Sequence, residues 1–360
     1  MAMDHRTKTE LDIAARRVLG YMTAGRFAGD WGMDIDHFDW NPGVGLISLA
    51  YYHEYNGSPA ALEFLKEWMR KNMQKGGVVR AVNTTAAFGV YPLLYERTGD
   101  EKYLKEAVTH ADWLMTQACR AENGAFQHSF NTVESYETLR GQVWADTIFM
   151  ACLFLAKTAR LTRNKEYAEE AVRQLELHFE ALQNRENGLL YHGYSSISDN
   201  HMSGILWARG NAWIAVGLPA IAAELEGLAA LPAALTARYV KMIDGLVTVQ
   251  GQHGMWHTVL TNPLSYGESS ATAGIACGIV FSVLRGILPQ SYLKYADVAA
   301  NSLIPCIDAE GMVAGVSGGT PIMENEEEYK EIPRYPTLYG QGLTLMLLAM
   351  LETVFDQRDA

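Results

Sequence analysis

Apolar residues recur at spacings of three and four along nearly the whole chain of 360 residues. The pattern predicts helices over 11–23, 43–55, 60–73, 84–97, 101–118, 142–160, 165–182, 205–225, 231–250, 268–285, 290–306 and 337–355. Long alternating strand patterns are missing, and Gly or Pro punctuates the gaps.

Two kinds of connection alternate between these helices. Short ones, such as "EYNGSP", "ERTGDEKY" and "AELEGLAAL", read as a helix end, a tight turn and a new start, each with a Gly or Asn suited to the left-handed cap position. Longer ones, "AENGAFQHSF", "RENGLLYHGY", "GQHGMWHTVL" and "AEGMVAGVSG", each carry a Gly followed by aromatic or β-branched residues that predict a small hairpin. Their glycines, Gly124, Gly188, Gly254 and Gly311, recur about every sixty residues. Two helices per repeat and about six repeats predict an all-α protein, an (α/α)6 barrel with short turns at one end and small hairpin loops at the other. An open helical solenoid with a binding groove is the alternative. No linker-like stretch breaks the repeat, so one domain over 1–360 is expected. The long-loop end collects Trp31, His37, Trp40, His128, His192, Trp256 and His257, so function is expected there.

Composition narrows the partners. Lys and Arg number 29 against 41 Asp and Glu, a formal net charge of -12, with no basic cluster. Such a chain repels nucleic acid and anionic membrane. The N-terminus "MAMDHRTKTELD" has no apolar leader pattern, and no apolar run is read as a membrane span. Cys119, Cys152, Cys277 and Cys306 form no CxxC pair and lie in apolar helical patterns, which predicts buried free thiols and a reducing, cytoplasmic compartment.

Candidate chemistry begins with "RGQVWADTIFMACLFLAKTARLT", 140–162, where Asp146 sits in an otherwise apolar helical stretch. On helical spacing Val143, Asp146, Met150 and Leu153 share a face. An unpaired carboxylate in a core costs several kcal/mol. A helix N-terminus favours the anion and burial raises its pKa, a balance suited to acid–base work near neutrality. A capping or salt-bridged aspartate is the competing reading. In "WARGNAW", Arg209 and Trp213 are i and i+4. They read either as a carboxylate clamp with a plate for a sugar ring, or as a surface cation–π pair. His192 in "GLLYHGYSS" and His128 in "GAFQHSF" follow repeat glycines. Asn83 opens a helix in "VNTTAAFG" and Trp40 opens another in "FDWNPG", where simple capping competes. Walker loop, GxGxxG, HExxH, GxSxG and Cys/His metal spacings are absent, and the acidic run 324–331 reads as a solvated loop.

The W-x-D-T-x-F-M segment beginning at Trp144, followed by "YHGY" and by R-x-x-x-W at Arg209, resembles the unsaturated glucuronyl and galacturonyl hydrolases, glycoside hydrolase families 88 and 105. The likeness is closer to the unsaturated rhamnogalacturonyl hydrolases of family 105. The resemblance implies a substrate, the Δ4,5-unsaturated uronic acid that polysaccharide lyases leave at a non-reducing end, and hydration of its C4=C5 bond without metal or organic cofactor. It implies Asp146 as general acid, and as the base that deprotonates the water. Trp144 lies beside it, Arg209 and Trp213 would line the site and hold the uronate, and His192 would match the loop histidine. Some members carry a second aspartate on an earlier inner helix, and Asn83 is the residue here that stands nearest to that place. Two other classes stay open. A conventional inverting glycosidase would need a second carboxylate, with Asp34, Asp36 and Asp39 available. A non-catalytic sugar-binding repeat protein would need neither.

Overall fold

The computed structural model describes residues 7–75 and 79–359; the N-terminal residues 1–6, on which the leader reading partly rests, lie outside them. Thr7 opens α1 (Lys8–Met22) through a capping box with Glu10. The helices that follow are α2 (Trp40–Asn56), α3 (Pro59–Met73), a 3₁₀ segment over Asn83–Val90 that runs into α4 (Tyr91–Thr98), α5 (Glu101–Thr116) and the single-turn α6 (Ser135–Thr138). Beyond it lie α7 (Leu153–Thr162), α8 (Lys165–Leu182), α9 (Ala208–Glu224), α10 (Ala233–Thr248), α11 (Ser269–Leu284), α12 (Leu293–Leu303), α13 (Glu326–Glu331) and α14 (Leu338–Asp359). Every predicted helical span holds a helix, and α8 has the predicted bounds.

The helices sort by pattern into two rings. Along α8 the buried residues Tyr167, Ala168, Ala171, Val172, Leu175 and Phe179 form one stripe, the mark of a helix with one wet side. By contrast α9 and α11 are apolar nearly all round and bury almost every residue. The inner ring closes: α2 packs on the 3₁₀ segment, that on α7, then α9, α11 and α14, which returns to α2. The outer helices α1, α3, α5, α8, α10 and α12 lie against it. The fold is an (α/α)6 barrel. One expectation needs correcting: Leu338–Asp356 is long and apolar enough to cross a membrane, but 89% of that stretch is buried, as the innermost wall of the barrel.

The repeat glycines have a common job. Gly124, Gly188, Gly254 and Gly311 all have left-handed φ, from 80° to 99°. A Cβ at Gly254 would lie 2.5 Å from the carbonyl oxygen of Val298 on α12, and one at Gly311 would lie 2.0 Å from that of Arg17 on α1. At Gly188, Gly254 and Gly311 the bare glycine lets the loop lie on the backbone of the next outer helix, Gly124 leaves room for the Arg173 guanidinium on α8, and Gly311 joins the last repeat to the first. The bridges Arg120↔Phe126, Gln183↔Leu190 and Ile307↔Val313 supply the small hairpins.

Two stretches differ from expectation. The helix predicted from residue 142 begins instead as strand β1 (Gln142–Trp144), paired antiparallel with β2 (Gly193–Ser195), and becomes helical only at Asp146, passing through a π turn over Ile148–Cys152 before α7. Val143 and Asp146 thus do not share a helical face. The acidic run 324–331 is largely ordered as α13, with Tyr329 fully buried. The thiols also need correcting: all four are free, but only Cys152 and Cys277 are buried, Cys306 is half-buried and Cys119 exposed.

Because every inner helix follows a long loop, and all but the last, α14, precede a short turn, the six inner N-termini point to the same end. Trp40, Asn83, Asp146, Arg209, Glu268 and Tyr339 occupy or adjoin these first turns.

Candidate active site

At that end lies a cavity of about 160 Å³ lined by Trp31, Trp40, Asn83, His128, Phe130, Trp144, Asp146, Trp207, Arg209, Gly319, Thr320 and Pro321. Its walls are aromatic. Trp40 stacks on Tyr339 with ring centroids 5.1 Å apart, and Trp31 meets Trp40 edge-on. Opposite, His128 stacks on Trp144 at 4.3 Å and Phe130 meets both rings edge-on. Strand β1 is what places Trp144: its indole N–H donates to Gln142 Oε1 at 2.9 Å.

Asp146 is the only carboxyl among the described lining residues. Burial pushes its pKa up to about 6, against the pull of the Arg209 charge, its own backbone N–H and the Trp213 indole N–H. Asp146 Oδ2 has no hydrogen-bond partner within the protein. Neither do Asn83 Oδ1, His128 Nε2, His192 Nε2, Trp207 Nε1, Arg209 Nε and Trp213 Nε1. Buried polar atoms are nearly always partnered, and an unpaired one costs about 1–3 kcal/mol. Five of these seven atoms belong to residues lining the one cavity, which marks a place where a polar ligand belongs.

His192 does not line the cavity but stands behind Asp146, with Nε2 3.8 Å from Oδ2. Burial, the Arg209 charge and His128 hold its pKa well below the usual imidazole range, so the ring is neutral and the contact is not an ion pair. The Tyr329 hydroxyl accepts from the Met323 N–H at 3.4 Å and lies 2.7 Å from His192 Nδ1. With the hydroxyl donating to Nδ1, the single ring proton sits on Nε2, facing the carboxyl. Burial likewise pushes His128 down to about 3, and its Nδ1 meets Thr147 Oγ1 at 3.2 Å.

Two sequence readings change at this point. Trp213 is fully buried against Phe149 and Tyr339 and offers no face to the cavity; an i, i+4 spacing fixes direction but not depth. Its indole N–H faces Asp146 instead, so it is not a sugar-stacking plate. Arg209 is not a free clamp either. It lies between the Trp207 and Tyr339 rings, 4.6 Å from each centroid. Nη1 donates to Ser317 O at 3.0 Å and to Ser317 Oγ; Nη2 donates to Gly318 O at 2.7 Å and Thr320 Oγ1 at 2.9 Å. Arg209 therefore ties down the 317–320 loop that roofs the cavity. Asn83 and Trp40 line the cavity, whereas Trp256 and His257 do not: Trp256 is buried and donates to Leu246 O at 2.7 Å. Asp34 and Asp39 cap local backbone and Asp36 pairs with Lys71 and Lys75; none lines the cavity. Sequence reasoning missed Tyr329 and Phe130. The only signal for Tyr329 is one aromatic in an acidic run.

A helical barrel whose axial cavity sets one carboxyl among aromatic plates is the architecture of a carbohydrate-cleaving enzyme, a helical-barrel glycoside hydrolase. Residues 21–355 match Glycosyl Hydrolase Family 88, and the chain belongs to that family. It is 32% identical over 318 residues, 87% of this chain and 89% of the relative, to the unsaturated rhamnogalacturonyl hydrolase YesR of Bacillus subtilis (strain 168). The crystal structure of a possible member of the GH105 family from Salmonella enterica serovar Paratyphi A superposes with a TM-score of 0.91 at 29% identity, over 98% of this chain and 96% of that one. The unsaturated glucuronyl hydrolase of Bacillus sp. GL1 shares the fold, with a TM-score of 0.73 at 20% identity, over 95% of this chain and 96% of that one.

Proposed function

We propose that this glycoside hydrolase removes the Δ4,5-unsaturated uronic acid from the non-reducing end of lyase-generated oligosaccharides, of the rhamnogalacturonan type, by hydrating the C4=C5 bond. The observation that carries the reading is the lone carboxyl. A conventional inverting mechanism needs two, roughly 6.5–9.5 Å apart across the substrate. Among the described residues Asp146 is the only carboxyl lining the cavity, and its raised pKa keeps a proton available close to neutrality. Asp146 delivers that proton to C4, and positive charge develops at C5 and the ring oxygen. Water adds at C5 and gives its proton back to the Asp146 carboxylate. The net change is addition of one water across the double bond. The hemiketal so formed opens, and the second sugar leaves. Between the two proton transfers the carboxylate has the neutral His192 ring, with Nε2 3.8 Å from Oδ2, and the Trp213 indole beside it. The helix N-termini marked by Trp40, Asn83, Asp146 and Arg209, which line the cavity, favour the substrate's own carboxylate there.

A second groove of about 450 Å³ continues from the cavity past Phe130, Trp144 and Pro321, which line both. Met202, Ile322 and Met323 give it an apolar wall, Glu324 is its only charged residue, and no Lys or Arg lines it. That chemistry suits a neutral sugar with apolar surface, such as a 6-deoxyhexose, better than a sulfated one. Residence in a reducing, cytoplasmic compartment is part of the proposal, supported by four free cysteines.

The test follows the ultraviolet absorbance of the conjugated double bond with lyase products of rhamnogalacturonan, pectin and glycosaminoglycan. Loss of absorbance with release of a shortened sugar, fastest on the rhamnogalacturonan product and abolished in Asp146→Asn, is expected. Cleavage of saturated substrates with no loss of absorbance would overturn the hydration reading.

A further inference from the structure

Glu268 is a carboxylate with 0% exposure that the hydration chemistry above does not use. It stands at the N-terminus of α11 and its Oε2 accepts from Ala271 N at 2.6 Å. Ser270 Oγ donates to both oxygens. A cap alone needs no more than this, and Ser, Thr, Asp or Asn supplies it with a shorter arm. The longer arm of Glu268 reaches further. Its Oε1 accepts from Ser317 N at 2.8 Å and lies 3.9 Å from Arg209 Nη1. Ser317 is thereby held on every side: its N–H by Glu268, its carbonyl and hydroxyl by Arg209, and its carbonyl again by the Tyr339 hydroxyl at 2.5 Å. The loop so fixed continues into Gly319, Thr320 and Pro321, the roof over Asp146.

We propose that Glu268 is a positioning residue for the hydration step: it locks Arg209 and the 317–321 roof in place over Asp146 and offsets the Arg209 charge that faces the acid. The inference rests on the reading of Asp146 as the proton donor. The offset matters because Arg209 is the strongest influence opposing protonation of Asp146. The other groups facing Asp146 are the neutral His192, the Trp213 N–H and the Tyr329 hydroxyl; those facing Glu268 are Arg209, Tyr339 and Tyr266. An Arg209 stripped of its buried counter-charge would act on Asp146 at full strength, and the acid would lose its proton at lower pH.

Two variants separate positioning from capping. Glu268→Asp keeps the cap on α11 but is one carbon too short to hold Ser317 and Arg209. Glu268→Gln keeps the length and removes the charge. The parent enzyme is assayed first on a Δ4,5-unsaturated disaccharide by absorbance, across pH. With the parent active, Glu268→Asp should keep the parent Tm and lose about ten- to a hundredfold in kcat/KM, mainly through KM, because the roof is misplaced. Glu268→Gln should move the alkaline limb of the kcat/KM profile down by about one pH unit. Parent kcat/KM and an unmoved limb in both variants would overturn the inference and leave Glu268 a cap. If Glu268→Gln does not fold, Glu268→Asp decides by KM and unchanged Tm alone. A parent that hydrates no unsaturated substrate defeats the reading of Asp146 itself, a different failure from unmoved variants of an active parent.

Discussion

The two ends of the barrel bury carboxylates in opposite ways. At the short-turn end, Glu224 meets Lys157 at 2.8 Å and Arg160 at 2.6 Å, and Arg160 continues to Glu96. Burial alone would raise the Glu224 pKa, yet the two cations hold it below the usual carboxylate range. At the long-loop end, Asp146 is nearly as deep, with no hydrogen bond to its buried Oδ2, and burial prevails. The same chain thus shows both solutions to a buried acid. Where every oxygen is matched, the group is a structural tie; where it is left wanting, the group keeps a proton to give away.

Removing each acid should therefore do opposite things. Asp146→Asn is expected to lower kcat by about 10³-fold or more, since it deletes the proton donor. The same variant should be more stable than the parent above pH 6, by an order of 3 kcal/mol at most, because a buried charge is gone. The sign follows from the raised pKa. The folded parent holds a proton that the unfolded chain has lost, so its stability falls as pH rises towards about 6. Urea unfolding at pH 5 and pH 8 reads this directly, and a parent as stable as the variant at both would contradict it. Glu224→Ala should instead strand the buried Lys157, costing about 3–5 kcal/mol while leaving kcat of the folded fraction close to the parent's. For Glu224 the sign reverses: its lowered pKa gives stability that is present at neutral pH and lost on acidification.

The pH profile sharpens the contrast. Above about pH 6, kcat/KM should fall roughly tenfold per unit as Asp146 loses its proton; a flat profile to pH 9 would remove it from the role of acid. The smallest effect is expected from Tyr329→Phe, which deletes the hydroxyl fixing the His192 tautomer. A loss of about tenfold in kcat with unchanged Tm would place Tyr329 in the chemistry, and an unchanged kcat would leave it as packing.

Asp146 was legible because a charge inside an apolar run has few structural excuses. The helices were legible because a 3.6 period repeated over ten or more residues survives local noise, and α8 shows it residue by residue. The three-residue β1 was not, since three residues carry no period, and it is β1 that turns Trp144 into the cavity wall. Tyr329 was hidden by the charges around it, and the depth of Trp213 by a spacing that gives azimuth only. Glu268 drew no attention in sequence, because the partner that distinguishes it, Ser317, lies 49 residues away.

The glycine contacts between neighbouring repeats have a consequence for how the barrel is made. Most repeats are joined to the next by chain that is close at hand, as when Gly254 meets α12. The seam is different: Gly311 lies on Arg17, and Lys8 pairs with Asp356 across 348 positions of sequence. Closing a loop that long costs entropy which no nearer contact has yet offset, so the seam should form last and open first. An opened seam leaves an arc of hairpins with an unpaired edge on each side. What keeps this chain a circle and not a solenoid is thus one non-covalent joint, and its strength sets the concentration at which two arcs would rather close on each other.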